Sequence, residues 1–361
     1  MLFAGICRCA AGQDADTRWL IIPRAEANVY APLSRGGDFG ADGGMTSLYA
    51  LLEGGWGEHV TYSSQLHLLS VDPLPLYKNS FRSNGAVWMD WLYLGFHSGD
   101  WEFRLGKDFT AIGTIELDAY DFENLFNLSG SAYNRIIFAQ WGASVCYKPS
   151  AGRNLFQIQA LSSPFGSHLF PPGPEQERTL FSFSGRWRGN YESVTTINSL
   201  NLFEYAPGRF IQTMALGALV QLGKGWNAGV DFMTRGRDHI SHMLDEGTLM
   251  CTFGYNPSEK MSLTLKFGYE YSNGSAGFFT VEDGPGSGYA QTNIAWQKAV
   301  LGKNYLFGGF QAVFRPFESI PNLRLHFCGA YNNYAQRLSM TLGGVYYLDL
   351  YPLISGRARA L

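Results

Sequence analysis

Three things are scarce in this chain, and each scarcity excludes a class of protein. No run of about 18 apolar residues occurs, so the sequence offers no membrane-spanning helix. Charged residues make up only 16% of the 361, against roughly a quarter in soluble domains. The formal charge of −3 and a pI near 6.2 give neither the basic field that nucleic acid requires nor an acidic tail. Nucleic acid is therefore not an expected partner. Cysteine is rare too, with five residues in all. Apart from Cys7 and Cys9 near the start, Cys146, Cys251 and Cys328 stand alone, without CxxC or paired spacing, so no zinc or redox motif and no cofactor is expected. Cys251, among Leu249, Phe253 and Tyr255, reads as a small hydrophobe, while a Cys146–Cys328 bridge stays open.

What is present is alternation. Apolar residues reach 46% although mean hydropathy is only −0.10, so apolar and polar side chains must be interleaved. In "KMSLTLKFGYEYSNG" (260–274), Met261, Leu263, Leu265, Phe267, Tyr269 and Tyr271 fall on one face of an extended chain, and Ser262, Thr264, Lys266, Gly268 and Glu270 on the other. The pattern recurs in "EHVTYSSQLHLL", "GDWEFRLGK", "LFSFSGRWRG", "KGWNAGVDFMT" and "NLRLHFCGAY". Strands of soluble sheets commonly have about 5–6 residues, whereas several here run to about 11–13, near the 9–11 of a tilted membrane strand. Without a helical period between strands, α/β folds are excluded, and no propeller-like repeat is visible. The aromatics are abundant (26 Phe, 20 Tyr, 9 Trp), as interfacial girdles require; Trp88 and Trp91 stand on opposite strand faces, so at least one points inward.

The predicted fold is thus all-β: one closed antiparallel transmembrane barrel of about 16 strands, in a range of about 14–18, over residues 26–351. Residues 1–25 are assigned to an export-signal remnant or a disordered terminus, and 352–361 to a tail. Counting from Glu26–Leu33 gives an odd number, 17, unless "AIGTIELDAY" is a further strand. Tight turns are predicted at Gly54–Glu58, His97–Asp100, Gly189–Asn190, Gly223–Gly225, Pro257–Lys260 and Leu301–Asn304. Longer polar loops are predicted at 34–44, 70–85, 108–133, 162–178, 235–246 and 273–287, on the outer side of a bacterial outer membrane, with both termini in the periplasm.

On this pattern Arg104, Arg186, Arg188, Lys266 and Arg324, with Glu102, Asp231 and Glu270, face the lumen. Either they line a water-filled pore or they pair off inside a filled one. The first gives a diffusion channel for small polar solutes in outer-membrane lipid. The second gives a non-conducting accessory barrel of a larger outer-membrane complex for assembly, secretion or uptake, with other outer-membrane or periplasmic proteins as partners. The tail "SGRARAL" suits either a short extension or a docking peptide. An enzyme ranks third. Loop "RGRDHISHMLDE" holds His239 and His242 with Asp238, Asp245 and Glu246, residue types that bind metals or form an Asp/His pair, yet solvated loop histidines are the plainer reading. No catalytic or metal-binding residue is assigned. "GPGSG" (284–288) follows no parallel strand and opens no helix, so it is no phosphate loop.

The stretch "RLGKDFTAIGTIELDAYDFENLFN" (104–127) resembles outer-membrane barrels of Bacteroidota-type Gram-negative bacteria, in the style of the phosphate-selective porin O/P group. The resemblance covers about two dozen residues. It implies the barrel fold and an anion preference created by a basic constriction. In the matched stretch only Arg104 and Lys107 are basic, beside Asp108, Glu116, Asp118, Asp121 and Glu123.

Overall fold

A computed structural model describes residues 17–33, 39–43, 46–70, 89–118, 139–149, 152–163, 179–273, 304–333 and 336–355. One antiparallel sheet accounts for nearly all of them. Its long strands are β1 (Arg18–Pro32), β2 (Ser47–Trp56), β3 (Val60–Ser70), β4 (Met89–Ser98), β5 (Trp101–Phe109), β6 (Ala139–Tyr147), β7 (Asn154–Ser162) and β8 (Phe181–Tyr191). They continue as β9 (Val194–Ala206), β10 (Arg209–Gly223), β11 (Trp226–Arg237), β12 (Glu246–Ser258), β13 (Met261–Ser272), β14 (Tyr305–Phe314), β15 (Leu323–Asn332) and β16 (Arg337–Tyr346). Short segments Gly40–Asp42 and Leu348–Asp349 extend the pairing along β1.

Consecutive strands pair from β2 through β16. β1 then joins both ends, running from Arg18↔Glu53 to Arg24↔Ser47 on one side and from Arg24↔Val345 to Pro32↔Arg337 on the other. The sheet closes on itself, so it has no free edge and its backbone groups are paired within the wall. Among the described residues the barrel has sixteen long strands. The count is therefore even. The first strand begins at Arg18, ahead of residue 26, and Arg18–Arg24 pair with β2 at the barrel seam. The described part of "AIGTIELDAY", 111–118, forms no strand.

Both described termini lie at one end of the barrel. Leu350 donates to the Trp19 carbonyl (2.7 Å), and the Trp19 ring meets Tyr351 at 5.6 Å on a short helix, Tyr351–Ser355. The connections at this end are 57–59, 99–100, 148–153, 192–193, 224–225, 259–260 and 315–322. One turn position needs correction. Gly189 and Asn190 stay in the ladder opposite Thr196 and Thr195, and the turn falls at Glu192, whose φ of 40° is left-handed. Of the turn expected at Leu301–Asn304, residues 301–303 lie outside the described residues.

The side-chain distribution is that of a soluble protein turned inside out. On β13, Leu265 (45% exposed), Phe267 (52%) and Tyr269 (40%) face outward, while Lys266, Gly268 and Glu270 between them are buried. Leu94, Phe96, Phe103, Leu105, Ile158 and Leu342 continue the outer apolar surface. Near the turns, Trp101 packs with Tyr147 (4.6 Å), Trp226 with Tyr255 (4.2 Å) and Trp56 with Tyr62 (5.1 Å), in the manner of an interfacial girdle. Trp91 is buried and points inward, its indole donating to Ser63; Trp88 is outside the described residues. Cys251 lies half-buried between the outward Leu249 and Phe253. Cys146 and Cys328 are buried free thiols on the non-adjacent β6 and β15, so the bridge left open by the sequence is not formed.

Candidate functional site

The lumen is crossed by the chain itself. After β5, residues 110–118 turn into the barrel instead of joining the outer loops, and Thr110, Ala111, Ile112, Gly113 and Thr114 are all buried. Irregular backbone away from water must find partners for its polar groups. Here the wall supplies them. The Ala111 N–H donates to Gln159 Oε1 (2.6 Å) and the Gly113 N–H to Ser199 Oγ (2.8 Å), while Asn201 Nδ2 donates to the Ala111 carbonyl (2.9 Å). The N–H groups of Ile115 and Glu116 both point at the Asp231 carboxylate, at 2.7 and 2.9 Å. A 3-10 turn, Glu116–Asp118, follows, closed by Leu117 N–H to Thr114 Oγ1 (3.2 Å) and Asp118 N–H to the Ile115 carbonyl (3.2 Å).

Two glycines make room for this approach. A Cβ on Gly113 would lie 2.6 Å from the Ser199 nitrogen, and one on Gly217 of β10 would lie 2.8 Å from the Ile115 nitrogen. Both distances are below any tolerable contact, so segment and wall meet backbone to backbone.

Apolar packing completes the seat. Ile112 is buried with Ala215, Met233, Met250, Tyr305, Phe307, Cys328 and Ala330, and Leu117 and Tyr30 pack against the same cluster. Every one of the wall residues points into the lumen. A second inward cluster, centred on Ile22, Tyr49, Leu51 and Trp91, lines the barrel around β1, β2 and β4. A small hydrophobic core thus forms inside a barrel whose outside is also apolar. Burying Ile112 alone is worth about 1.5–3 kcal/mol by area.

All eight residues expected in the lumen point inward. Seven of them, Glu102, Arg104, Arg186, Arg188, Asp231, Lys266 and Glu270, are buried, and Arg324 is half-buried. What they touch was not foreseen. Lys266 Nζ pairs with Glu116 (2.7 Å) and Arg188 with Asp118 (2.5 Å), so two wall cations hold the inserted turn. Arg104 bridges Glu102 (2.9 Å) and Asp108 (3.8 Å). Glu270 accepts from Thr248 Oγ1 (2.5 Å), and the Arg324 guanidinium lies 4.4 Å over the Tyr347 ring. Two further buried pairs lie inside, Arg235–Glu246 (2.7 Å) and Arg24–Glu26 (2.5 Å), the latter also met by His326 (2.9 Å).

The sequence names Glu116 and Asp118 only as acids of the matched stretch and gives no sign of Ile112, Gln159, Ser199 and Asn201, because 108–133 reads as an outer loop. The available signal was that "AIGTIEL" is too apolar for a solvated loop. Lys107 donates to the Met89 carbonyl (2.5 Å), and Asp121 and Glu123 lie outside the described residues, as does "GPGSG".

The histidine loop holds no comparable assembly. His239 caps Ser241 (2.8 Å), and the exposed His242 pairs with Asp245 (3.0 Å). Asp238 is taken by Arg209 (2.6 Å) and Glu246 by Arg235. Among the described residues no group of three or more His, Cys, Asp or Glu is arranged to hold a metal.

A closed sixteen-strand antiparallel barrel with a lipid-facing apolar surface, aromatic girdles and a polar, segment-bearing lumen defines a bacterial outer-membrane β-barrel. Solved structures agree on the fold. The chain is similar to an anion-selective porin from Comamonas acidovorans (11% identity, 92% of this chain and 100% of that one, TM-score 0.58). It is similar to the outer membrane channel DcaP of Acinetobacter baumannii (11% identity, 94% and 100% covered, TM-score 0.56). In-vitro folded OmpT, an outer membrane protein of Vibrio cholerae, matches at 12% identity, with 94% and 100% covered and a TM-score of 0.53. No protein-family model matches the chain, and no curated protein does.

Proposed function

We propose that this barrel is an outer-membrane channel for passive diffusion of small polar solutes, narrowed part-way down by residues 110–118. The observation that carries the proposal is the seat of that segment. It is bonded to the wall along β7, β9, β11 and β13, which narrows the lumen while using the lumen's own polar groups. Arg104, Arg186, Arg188, Asp231, Lys266, Glu270 and Arg324 are its pore-lining residues, several acting by holding the narrowing segment. A phosphate-specific form of this channel is less favoured, because the segment brings the acids Glu116 and Asp118 into the lumen rather than bases. No observation favours the accessory-subunit alternative. Proteoliposome swelling is the test: vesicles carrying the folded protein should admit a pentose and exclude a large dextran. Vesicles that stay impermeable to the pentose would refute a channel.

A further inference from the structure

We infer that Arg315 and Arg324, at the end of the lumen where the termini lie, form a binding site for a small oxyanion carrying two negative charges, a dicarboxylate or a phosphate dianion. The site stands on its own geometry; its role as a resting point for such solutes in transit rests on the channel proposed above.

The register brings the two arginines together. Phe314 of β14 is paired with Leu325 of β15, and both side chains are exposed on the outer face. Arg315 is the next residue along one chain and Arg324 along the other, so they stand opposite each other one step beyond that pair, on the inner face. The Arg315 N–H still bonds to the Lys260 carbonyl (2.8 Å), which holds it against the end of β13. Opposed side chains have their Cβ atoms about 5 Å apart, and like charges placed there repel.

Arg24, Arg104, Arg188 and Arg235 each have a carboxylate in contact. Among the described residues, Arg315 and Arg324 have none. Arg324 donates from Nη1 to the Tyr347 hydroxyl (3.3 Å), with its guanidinium 4.4 Å over that ring. Arg315 donates from Nη1 to the Glu259 main-chain carbonyl (3.0 Å). The Glu259 side chain is itself exposed, and the neighbouring Glu318 is taken by Lys260. A guanidinium has five N–H donors, so most of those on both arginines are open. Both residues are half-buried, not sealed. Burial first, and then the like charge of Arg324, lower the Arg315 pKa from its ordinary value, with Tyr347 and Glu259 opposing them. One dianion answers both charges at once, because each planar fork matches a pair of carboxylate or phosphate oxygens. Half-burial makes such contacts stronger than those of a fully exposed pair.

Isothermal titration of the purified barrel at low salt and slightly alkaline pH is the test, with succinate, inorganic phosphate and acetate as probes. An uncharged detergent keeps lipid phosphate away from the site. Succinate and phosphate should both bind, and acetate should bind at least about tenfold more weakly, since it lacks the second charge-assisted contact. Arg324→Gln and Arg315→Gln should each weaken succinate by about tenfold or more, with the strand signal in circular dichroism unchanged. Arg315 lies outside the strands, so its variant guards against an Arg324→Gln that fails to fold. In planar bilayers, succinate should lower the conductance of wild type more than that of either variant. A folded wild type that binds neither dianion, or folded variants that bind succinate as wild type does, overturns the inference while leaving the channel standing. Acetate bound as tightly as succinate overturns the double charge assigned to the ligand. A protein that binds succinate yet shows no conductance removes the channel and leaves the site.

Discussion

Asp231 is a lumen carboxylate by position and a backbone clamp by contact. Its place on the inner face follows from alternation with Val230 and Phe232 and was legible in the sequence. Its partners were not, because Ile115 precedes it by 116 residues and no local pattern records that distance. Lys266 and Glu116, 150 residues apart, show the same limit. Sequence alternation says which face a side chain takes; it is silent on what the opposite side of a closed barrel brings to meet it. At the rim, Asp238 gives a residue-scale prediction. Hydrogen bonding from Arg209 first, then from the Tyr205 hydroxyl, holds its carboxyl below the usual carboxylate range. A lowered folded value stabilises the loop above the ordinary pKa of about 4 and loses that contribution as pH falls through the lowered value. Protection of amides 238–245 against hydrogen exchange, corrected for intrinsic rate, should therefore match that of Asp238→Asn only in acid and exceed it near neutrality. Equal protection at neutral pH would contradict the role given to this pair.

At the level of elements, long amphipathic strands were legible because lipid outside and polar contents inside impose a strict period of two. β13 shows the rule without exception from Leu265 to Glu270. Residues 110–118 were misassigned for a physical reason. Their apolar side chains pack as a core residue's would, so "AIGTIEL" resembles a strand, but its N–H groups bond to side chains instead of to a neighbouring ladder. The first strand begins earlier than expected because residues 1–25 read as an export-signal remnant, whereas Arg18–Arg24 pair with β2, the exposed Pro23 among them. The outer belt makes a quantitative prediction. Phe267→Arg places a guanidinium on the lipid face within β13 and should lower unfolding stability in vesicles by about 2–4 kcal/mol. Tyr269→Phe on the same face should be close to neutral. Urea titration followed by tryptophan fluorescence measures both, and a stable Phe267→Arg barrel would place this face against something other than lipid.

For the whole molecule, the barrel is both container and scaffold. Closure leaves no strand edge, the outer surface is matched to lipid, and the interior holds a segment fixed by an apolar core, by charge pairs from β8 and β13 and by hydrogen bonds from β7, β9 and β11. Its central claim is that this segment, and not the barrel wall alone, sets the width of the passage. Single-channel conductance in planar bilayers tests it directly, comparing wild type with Asp231→Ala, which deletes both backbone bonds to Ile115 and Glu116 while leaving the outer face untouched. The account predicts that the variant still folds and inserts, but with larger and noisier conductance steps than wild type. Steps identical in size and noise in the two proteins would contradict it.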